Sequence, residues 1–394
     1  MSRVIDKFKD KNILIWGYGR EGQSTEEFFK RNSIAKKVDI YEGGIDGIDE
    51  SAYDYIFKSP GIAVECLSDK YTSQTELFLE EHRDRVIGIT GTKGKSTTSS
   101  MLYEVLDKAT DKKSFLMGNI GKPCLDYFEE VTEDSIVVFE MSCHQLAHLK
   151  VSPHIAVFLN LFEEHLDYYG TMDKYFNAKK NITLNQVEGD YVFFGSNVPH
   201  IDTKATATII DKAEDIELGI LGEHNHLNAT FVKHIAMKVF GCQEEAVLKA
   251  IAEFAGLPHR LEYVGEIDGV RFYDDSISTI PEATIQAIES IDNVKTVLVG
   301  GMDRNIDYTV LEEYIHNTPD ILFICAYDSG KRIYDMCKDA PNCIYVEDLA
   351  QSVAKAKEVT EKGSACVLSP ASASYGFFKN FEDRGDRFKE YVLG

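Results

Sequence analysis

A glycine-rich turn set between a buried strand and an amphipathic helix constrains this chain more than any other feature. Val86-Ile87-Gly88-Ile89-Thr90 is an apolar run that leads into Gly91-Thr92-Lys93-Gly94-Lys95-Ser96-Thr97, and Met101, Leu102, Val105 and Leu106 then recur at helical spacing. Such a turn aims backbone N–H groups and the positive end of a helix at one point, which suits phosphate. The spacing departs from the common phosphate-binding loop, because the position five before Gly94 is Ile89 rather than glycine. The pattern is Thr-Gly-Thr-x-Gly-Lys-Ser-Thr. Lys95 is placed to reach terminal phosphates, and Ser96 or Thr97 to hold Mg²⁺. Gly91, Thr92, Lys93 and Gly94 complete a cradle for ATP.

The chain has 394 residues, which is too long for one ordinary core and predicts two or three domains. Residues 1–85 open with Ile13-Leu14-Ile15-Trp16, then Gly17-Tyr18-Gly19-Arg20-Glu21-Gly22, a helical pattern through Phe29 and a second strand at Lys37–Tyr41. That is a βαβ layout. Residues 86–255 carry the phosphate loop and further buried runs at Ile136–Phe139 and Ile155–Leu159. Residues 256–394 start at Gly256-Leu257-Pro258 and alternate helical stretches with runs at Thr296–Val299, Ile321–Cys325, Cys343–Val346 and Ala365–Leu368. The predicted fold is α/β in three domains: an N-terminal Rossmann-like domain, a central P-loop ATPase domain on a parallel sheet and a C-terminal Rossmann-like α/β domain.

Charge narrows the partners. The formal net charge of −23 argues against nucleic acid, which needs a basic footprint. An anionic substrate must therefore be captured by local cations, backbone amides or metal. No stretch of eighteen apolar residues exists, so no membrane span is expected. The segment Met1–Phe8 carries charges where a signal peptide needs an apolar run. Eight cysteines are scattered with no CxxC pair and no zinc spacing, which fits buried thiols in a reducing compartment. A cytoplasmic monomer acting on small molecules is the expectation.

Further motifs follow the loop in order: Gly118-Asn119-Ile120-Gly121, Glu140-Met141-Ser142-Cys143-His144-Gln145-Leu146, Asn160-Leu161-Phe162-Glu163-Glu164-His165-Leu166-Asp167 and His224-Asn225-His226-Leu227-Asn228. Next come Gly256-Leu257-Pro258-His259-Arg260, Gly300-Gly301-Met302-Asp303-Arg304 and the closing Ser369–Ser374 and Phe378–Gly385. Along the whole chain these resemble the Mur ligase family, and the closing block resembles most its branch that adds glutamate to UDP-N-acetylmuramoyl-L-alanine. The resemblance implies an ATP-dependent amide-bond ligase working through an acyl phosphate with two Mg²⁺ ions. It makes Lys95, Glu140, His165 and Lys179 the catalytic set, with Ser96, Glu140, His165 and Lys179 at the metals. Lys179 aligns with a lysine the family carbamylates, which turns a cation into a metal-holding anion; from the residues alone it reads as a solvated lysine beside Lys180.

The resemblance also implies that Asn225 and Asn228 contact adenine, although both also suit N-capping. Arg260 and Asp275 serve the nucleotide. Gly17, Gly19, Gly22 and Ser24 lie near the substrate pyrophosphate, where a plain βα turn or a dinucleotide site are the other readings. Asn119, Ser142 and Gln145 complete substrate binding. Thr279, Arg304, Ser374 and Phe381 surround the incoming glutamate. Two departures bear on that amino acid. Ile277 and Ile280 stand where the family's Asp-Ser-Lys-Ala-Thr-Asn has lysine and asparagine, and Arg304 stands for a lysine. D-Glutamate is favoured. An L-glutamate-adding ligase, a folylpolyglutamate-type ligase and a non-catalytic nucleotide-binding regulator are the alternatives. His144, His148 and His154 read as ordinary polar or packed residues.

Overall fold

The unbroken apolar runs become buried strands of three sheets in the computed structural model, which describes residues 3–64 and 67–394. Runs of Val, Ile and Phe without polar alternation suit strands covered on both faces. Along Val86–Thr90 and Ser135–Glu140 every residue is buried.

The first sheet holds β1 (Asn12–Trp16), β2 (Lys37–Tyr41), β3 (Tyr55–Lys58) and β4 (Tyr71–Thr72), in the order β2-β1-β3-β4 and parallel throughout. The helix Arg20–Asn32 crosses from β1 to β2. The second sheet holds β5 (Val86–Thr90), β6 (Lys113–Gly118), β7 (Ser135–Glu140), β8 (Ile155–Phe158), β9 (Tyr191–Gly195) and β10 (Thr206–Ile210). It too is parallel, in the order β10-β9-β8-β5-β7-β6. Because β7 and β8 flank β5 on opposite sides, the chain leaves β5 at a point where the strand order reverses. In open α/β sheets the crevice outside such strand ends receives ligands.

The third sheet holds β11 (Glu262–Ile267), β12 (Val270–Asp274), β13 (Val294–Val299), β14 (Leu322–Cys325), β15 (Cys343–Tyr345) and β16 (Ala365–Leu368), in the order β11-β12-β16-β13-β14-β15. Only β11 runs antiparallel to its neighbour. The β11–β12 hairpin, absent from the sequence reading, turns through Asp268 (φ 54°) and Gly269 (φ 86°). Two positive φ angles in an Asp-Gly pair give the tight turn that matches strand twist.

The chain forms two compact units. One runs through Leu218 and resumes at Glu223–Phe254, and it holds the first two sheets; the other is Gly219–Gly222 with Ala255–Gly394 and holds the third. The expected α/β class with parallel sheets is what forms. Among the described residues no helix is long and apolar enough to cross a membrane, and the described cysteines are free thiols.

Central strand β8 gives a direct test of the core. Phe158 at its end is 0% exposed and its ring stacks 6.3 Å from that of Phe176. Phe158→Ala is expected to destabilise the first unit by about 3–5 kcal/mol, read as a lowered urea midpoint for that unit's transition. An unchanged midpoint would contradict this packing.

Candidate active site

The phosphate loop is shaped by side chains distant in sequence. After β5 the chain turns through Gly91–Gly94 into the helix Lys95–Ala109. Gly94 caps that helix with φ +81°, and a Cβ there would lie 2.5 Å from Asn228 Oδ1. Glycine is therefore required both by the left-handed backbone and by the asparagine packed on it. The N–H groups of Thr92 and Lys93 donate to Asn160 Oδ1 at 3.0 and 2.9 Å, while Asn160 Nδ2 donates to Lys93 O at 3.0 Å. The carboxamide thus fastens the loop to the end of β8. Thr92 is buried, and its hydroxyl donates to Phe162 O at 3.2 Å. Lys93 is exposed and pairs with Glu164 at 3.1 Å. Lys95 Nζ donates to Gly91 O at 3.0 Å and Thr92 O at 2.8 Å, and burial holds its pKa below the usual lysine range. Ser96 is half-buried and Thr97 buried in the first helical turn.

Glu140, at the end of β7, is 0% exposed. Its Oε1 accepts from Asn119 Nδ2 at 2.8 Å, while its Oε2 has no hydrogen-bond partner. An unpaired buried oxygen of this kind costs about 1–3 kcal/mol or more. It is a hard, anionic donor, and the site therefore fits a divalent cation such as Mg²⁺.

Lys179, on the helix Met172–Leu184, is 1% exposed, which overturns the solvated-lysine reading. Its Nζ donates to Gly91 O at 2.7 Å and Thr90 Oγ1 at 3.4 Å, and lies 4.9 Å from the Tyr175 ring centroid. Burial, and after it repulsion from Lys95, lowers its pKa to about 7. His165 stands in the left-handed region (φ 58°) on an exposed turn, its ring 5.3 Å from that of His144 and 6.0 Å from that of Tyr175. Burial and the neighbouring His165 push His144 down to about 4. Asn225 and Asn228 are buried on the helix His224–Phe240, with Asn228 Nδ2 donating to Asn225 Oδ1 at 2.9 Å. The N-cap of that helix is Glu223, so capping is not their role.

In the first sheet, Gly17 and Gly19 form the turn after β1, and Gly22 follows inside the helix, where a side chain would collide with Gly17 O. Ser24 Oγ donates to Asp126 Oδ1 at 2.6 Å, and Arg20 donates to Gly121 O. Ser142 and Gln145 cap each other: Gln145 N donates to Ser142 Oγ at 3.2 Å and Ser142 N to Gln145 Oε1 at 2.8 Å. Gln145 Nε2 then donates to Glu21 Oε1 at 2.7 Å. The predicted substrate residues Ser24 and Gln145 thus also join the helix after the first sheet's glycine turn to the segments that follow β6 and β7, and Ser142 holds Gln145 in place. Beside Gln145 lies a cavity of about 360 Å³, lined among others by Lys58, Ser68, Tyr71 and His148. Burial brings Lys58 down to about 8.

The second unit gathers its own set. Asp275 is buried, accepts from Ser369 Oγ at 2.8 Å, and is raised to about 6 by burial. His259 Nδ1 bonds Asp274 Oδ2 at 2.7 Å. These two and Glu262 bring ligand atoms within 4.8 Å of one another, but Glu262 is held by Lys389 at 3.3 Å. Ser374 is buried, Thr279 and Phe381 half-buried, and Arg260, Arg304 and Ile280 exposed. Three residues absent from the predicted set organise these sites: Asn160, Glu21 and Arg384. Asn160 and Arg384 lay inside recognised motifs, whereas the bond from Glu21 to Gln145 joins residues with no signal in common.

Comparison with known proteins agrees with this arrangement. Residues 89–208 match the Mur ligase middle domain. The chain is similar to UDP-N-acetylmuramoylalanine–D-glutamate ligase of Aquifex aeolicus (32% identity, 96% of this chain and 98% of the relative) and to that of Ligilactobacillus salivarius (29%, 99% and 98%). It is also similar to UDP-N-acetylmuramoyl-L-alanine–L-glutamate ligase of Salinispora tropica (31%, 98% and 98%). Among solved structures, MurF of Acinetobacter baumannii shares the fold at TM-score 0.62 (15% identity, 84% of each chain) and MurC of Thermotoga maritima at 0.60 (18%, 97% of this chain and 99% of the other). With relatives above 30% identity over nearly the whole chain, and the loop, Glu140 and Lys179 built around the ends of the neighbouring strands β5 and β7, the chain belongs to the Mur ligase family.

Proposed function

We propose that this protein is an ATP-dependent ligase that joins UDP-N-acetylmuramoyl-L-alanine to D-glutamate during assembly of peptidoglycan precursors. The relatives supply the substrates, and the site supplies the chemistry. A carboxylate is a poor electrophile. Transfer of the γ-phosphoryl group to the alanyl carboxylate gives an acyl phosphate and ADP. The glutamate amine then attacks the acyl carbon, the amide forms and phosphate leaves. The observation that carries this reading is Glu140, a fully buried carboxylate with one unpartnered oxygen near Lys95 of the loop.

On this reading Lys95 and the amides of Gly91–Gly94 neutralise and orient the phosphates. Ser96, Glu140, His165 and a carbamylated Lys179 would hold two Mg²⁺ ions, which when bound screen the charge of two approaching anions. Asn225 and Asn228 take the adenine, and Arg260 and Asp275 serve the nucleotide. Gly17, Gly19, Gly22 and Ser24 serve the pyrophosphate of the UDP-sugar, with Asn119, Ser142 and Gln145 toward its muramoyl end. Thr279, Arg304, Ser374 and Phe381 take the glutamate. Residues 1–85 would then serve the UDP group, 86–255 ATP and 256–394 the amino acid, in a cytoplasmic monomer.

A second reading, the L-glutamate-adding ligase, has two observations behind it. Ile277 and Ile280 replace a lysine and an asparagine in the loop that carries Thr279. A relative as similar as the others uses L-glutamate.

Phosphate release from ATP should require both UDP-N-acetylmuramoyl-L-alanine and glutamate, with D-glutamate the better acceptor. Glu140→Gln should lower kcat about 10²–10³-fold. Release that ignores either substrate would refute the ligase, and preference for L-glutamate would select the second reading. Lys179 offers a separate test. Only the neutral amine attacks CO₂, and a pKa of about 7 leaves much of it neutral at physiological pH. Protein equilibrated with ¹³C-bicarbonate should show a carbamate carbon signal that weakens as pH falls below 7 and is missing in Lys179→Arg. A signal that persists in Lys179→Arg would place the carbamate elsewhere.

A further inference from the structure

We propose that Arg384 is a positioning residue that fixes the amino-acid end of the site, an inference that rests on the glutamate-ligase reading above. Arg384 lies on the closing helix Phe381–Leu393 and is 1% exposed. Its guanidinium forks across two loops: Nε donates to Ser276 Oγ at 2.9 Å, one terminal nitrogen to Ser276 O at 2.7 Å, and the other to Ser372 O at 3.0 Å. Each bonded residue adjoins a predicted glutamate contact. Ser276 stands three before Thr279, and Ser372 two before Ser374. Phe381 opens the helix of Arg384, and its carbonyl accepts from Ser276 Oγ at 2.8 Å.

A third loop is drawn in through Ser372 and Ala373. Met302 N donates to Ala373 O at 2.8 Å, and Ser372 Oγ is 2.7 Å from Ser329 Oγ, which also receives Gly301 N at 2.8 Å. That loop carries Arg304. A buried cation is costly unless it is paired and hydrogen-bonded. Here Asp274 and Asp275 supply compensating charge and three acceptors take the N–H groups. Lysine has one ammonium and cannot span Ser276 and Ser372 in this geometry. The arrangement is what a site needs when its contacts sit on loops and must hold to within a fraction of an ångström.

Arg384→Lys should raise KM for glutamate about tenfold or more, with KM for UDP-N-acetylmuramoyl-L-alanine within about twofold and kcat at saturating glutamate largely kept. Ser276→Ala, which removes one acceptor and leaves the rest, should raise the same KM by a smaller factor, and it decides the matter if the lysine variant does not fold. Amide hydrogen exchange at Ser276, Ile277 and Ser278 should quicken in both variants while β13 and β16 stay protected. Unchanged KM for glutamate in folded variants, or an equal rise for every substrate, would overturn the proposal. Exchange does not depend on the acceptor, so if wild type shows no glutamate-dependent turnover the ligase reading fails, and unchanged exchange would still overturn the role of Arg384.

Discussion

A buried carboxylate at the end of β7 and two lysines gathered at the end of β5 set the terms for the rest of the first unit. Glu140 is fully shielded from water, as is Lys179, and Lys95 is half-buried. Burial penalises the charged form of both lysines and lowers them. The two ammonium groups also repel each other, so neither stabilises its neighbour. Their donors instead turn to the carbonyls of Gly91 and Thr92. The anion of Glu140 is satisfied on one oxygen only. This is an arrangement poised for added charge, and the loop lysine Lys95 and the carboxylate of Glu140 offer opposite signs to it.

The backbone around that cluster is held by amide side chains as well as by the two lysines. Asn160 holds the loop from β8, Asn228 packs on Gly94 from another helix, and Asn119 orients Glu140 from the end of β6. Neutral amides satisfy donors and acceptors together and leave the local charge to be set by the ligand. Bonds from Ser24 to Asp126, from Arg20 to Gly121 and from Gln145 to Glu21 fix the first sheet's glycine turn and the helix after it against the segments that follow β6 and β7. In the second unit the corresponding work falls to one guanidinium, Arg384. Its surroundings contain two buried carboxylates, so a cation is needed there for neutrality as well as for geometry.

Much of this was legible in the sequence. The strand-turn-helix around Gly91–Thr97 has local periodicity and local turn chemistry, so its conformation follows from short-range sterics and hydrogen bonding. The same holds for the parallel strands, which announce themselves as apolar runs. The β11–β12 hairpin escaped because Glu262–Ile267 is half-exposed and polar, with only the Asp268-Gly269 turn to mark it.

What the sequence by itself determined was the set of functional groups and the local shape of each motif, because both depend on neighbours a few residues away. What only the tertiary structure decided was their electrostatic state. Lys179 reads as a solvated lysine until the helix Met172–Leu184 places it under the loop, and only the closed sheet shows that Glu140 is fully buried with one oxygen unpartnered. Gln145 stands in a recognised motif, and only the fold shows that its amide also bonds Glu21. The physical reason is common to all three. Desolvation and hydrogen-bond satisfaction depend on which distant segments pack against a side chain, and the packing that joins β5, β7 and β8 brings together residues that no short window of sequence contains.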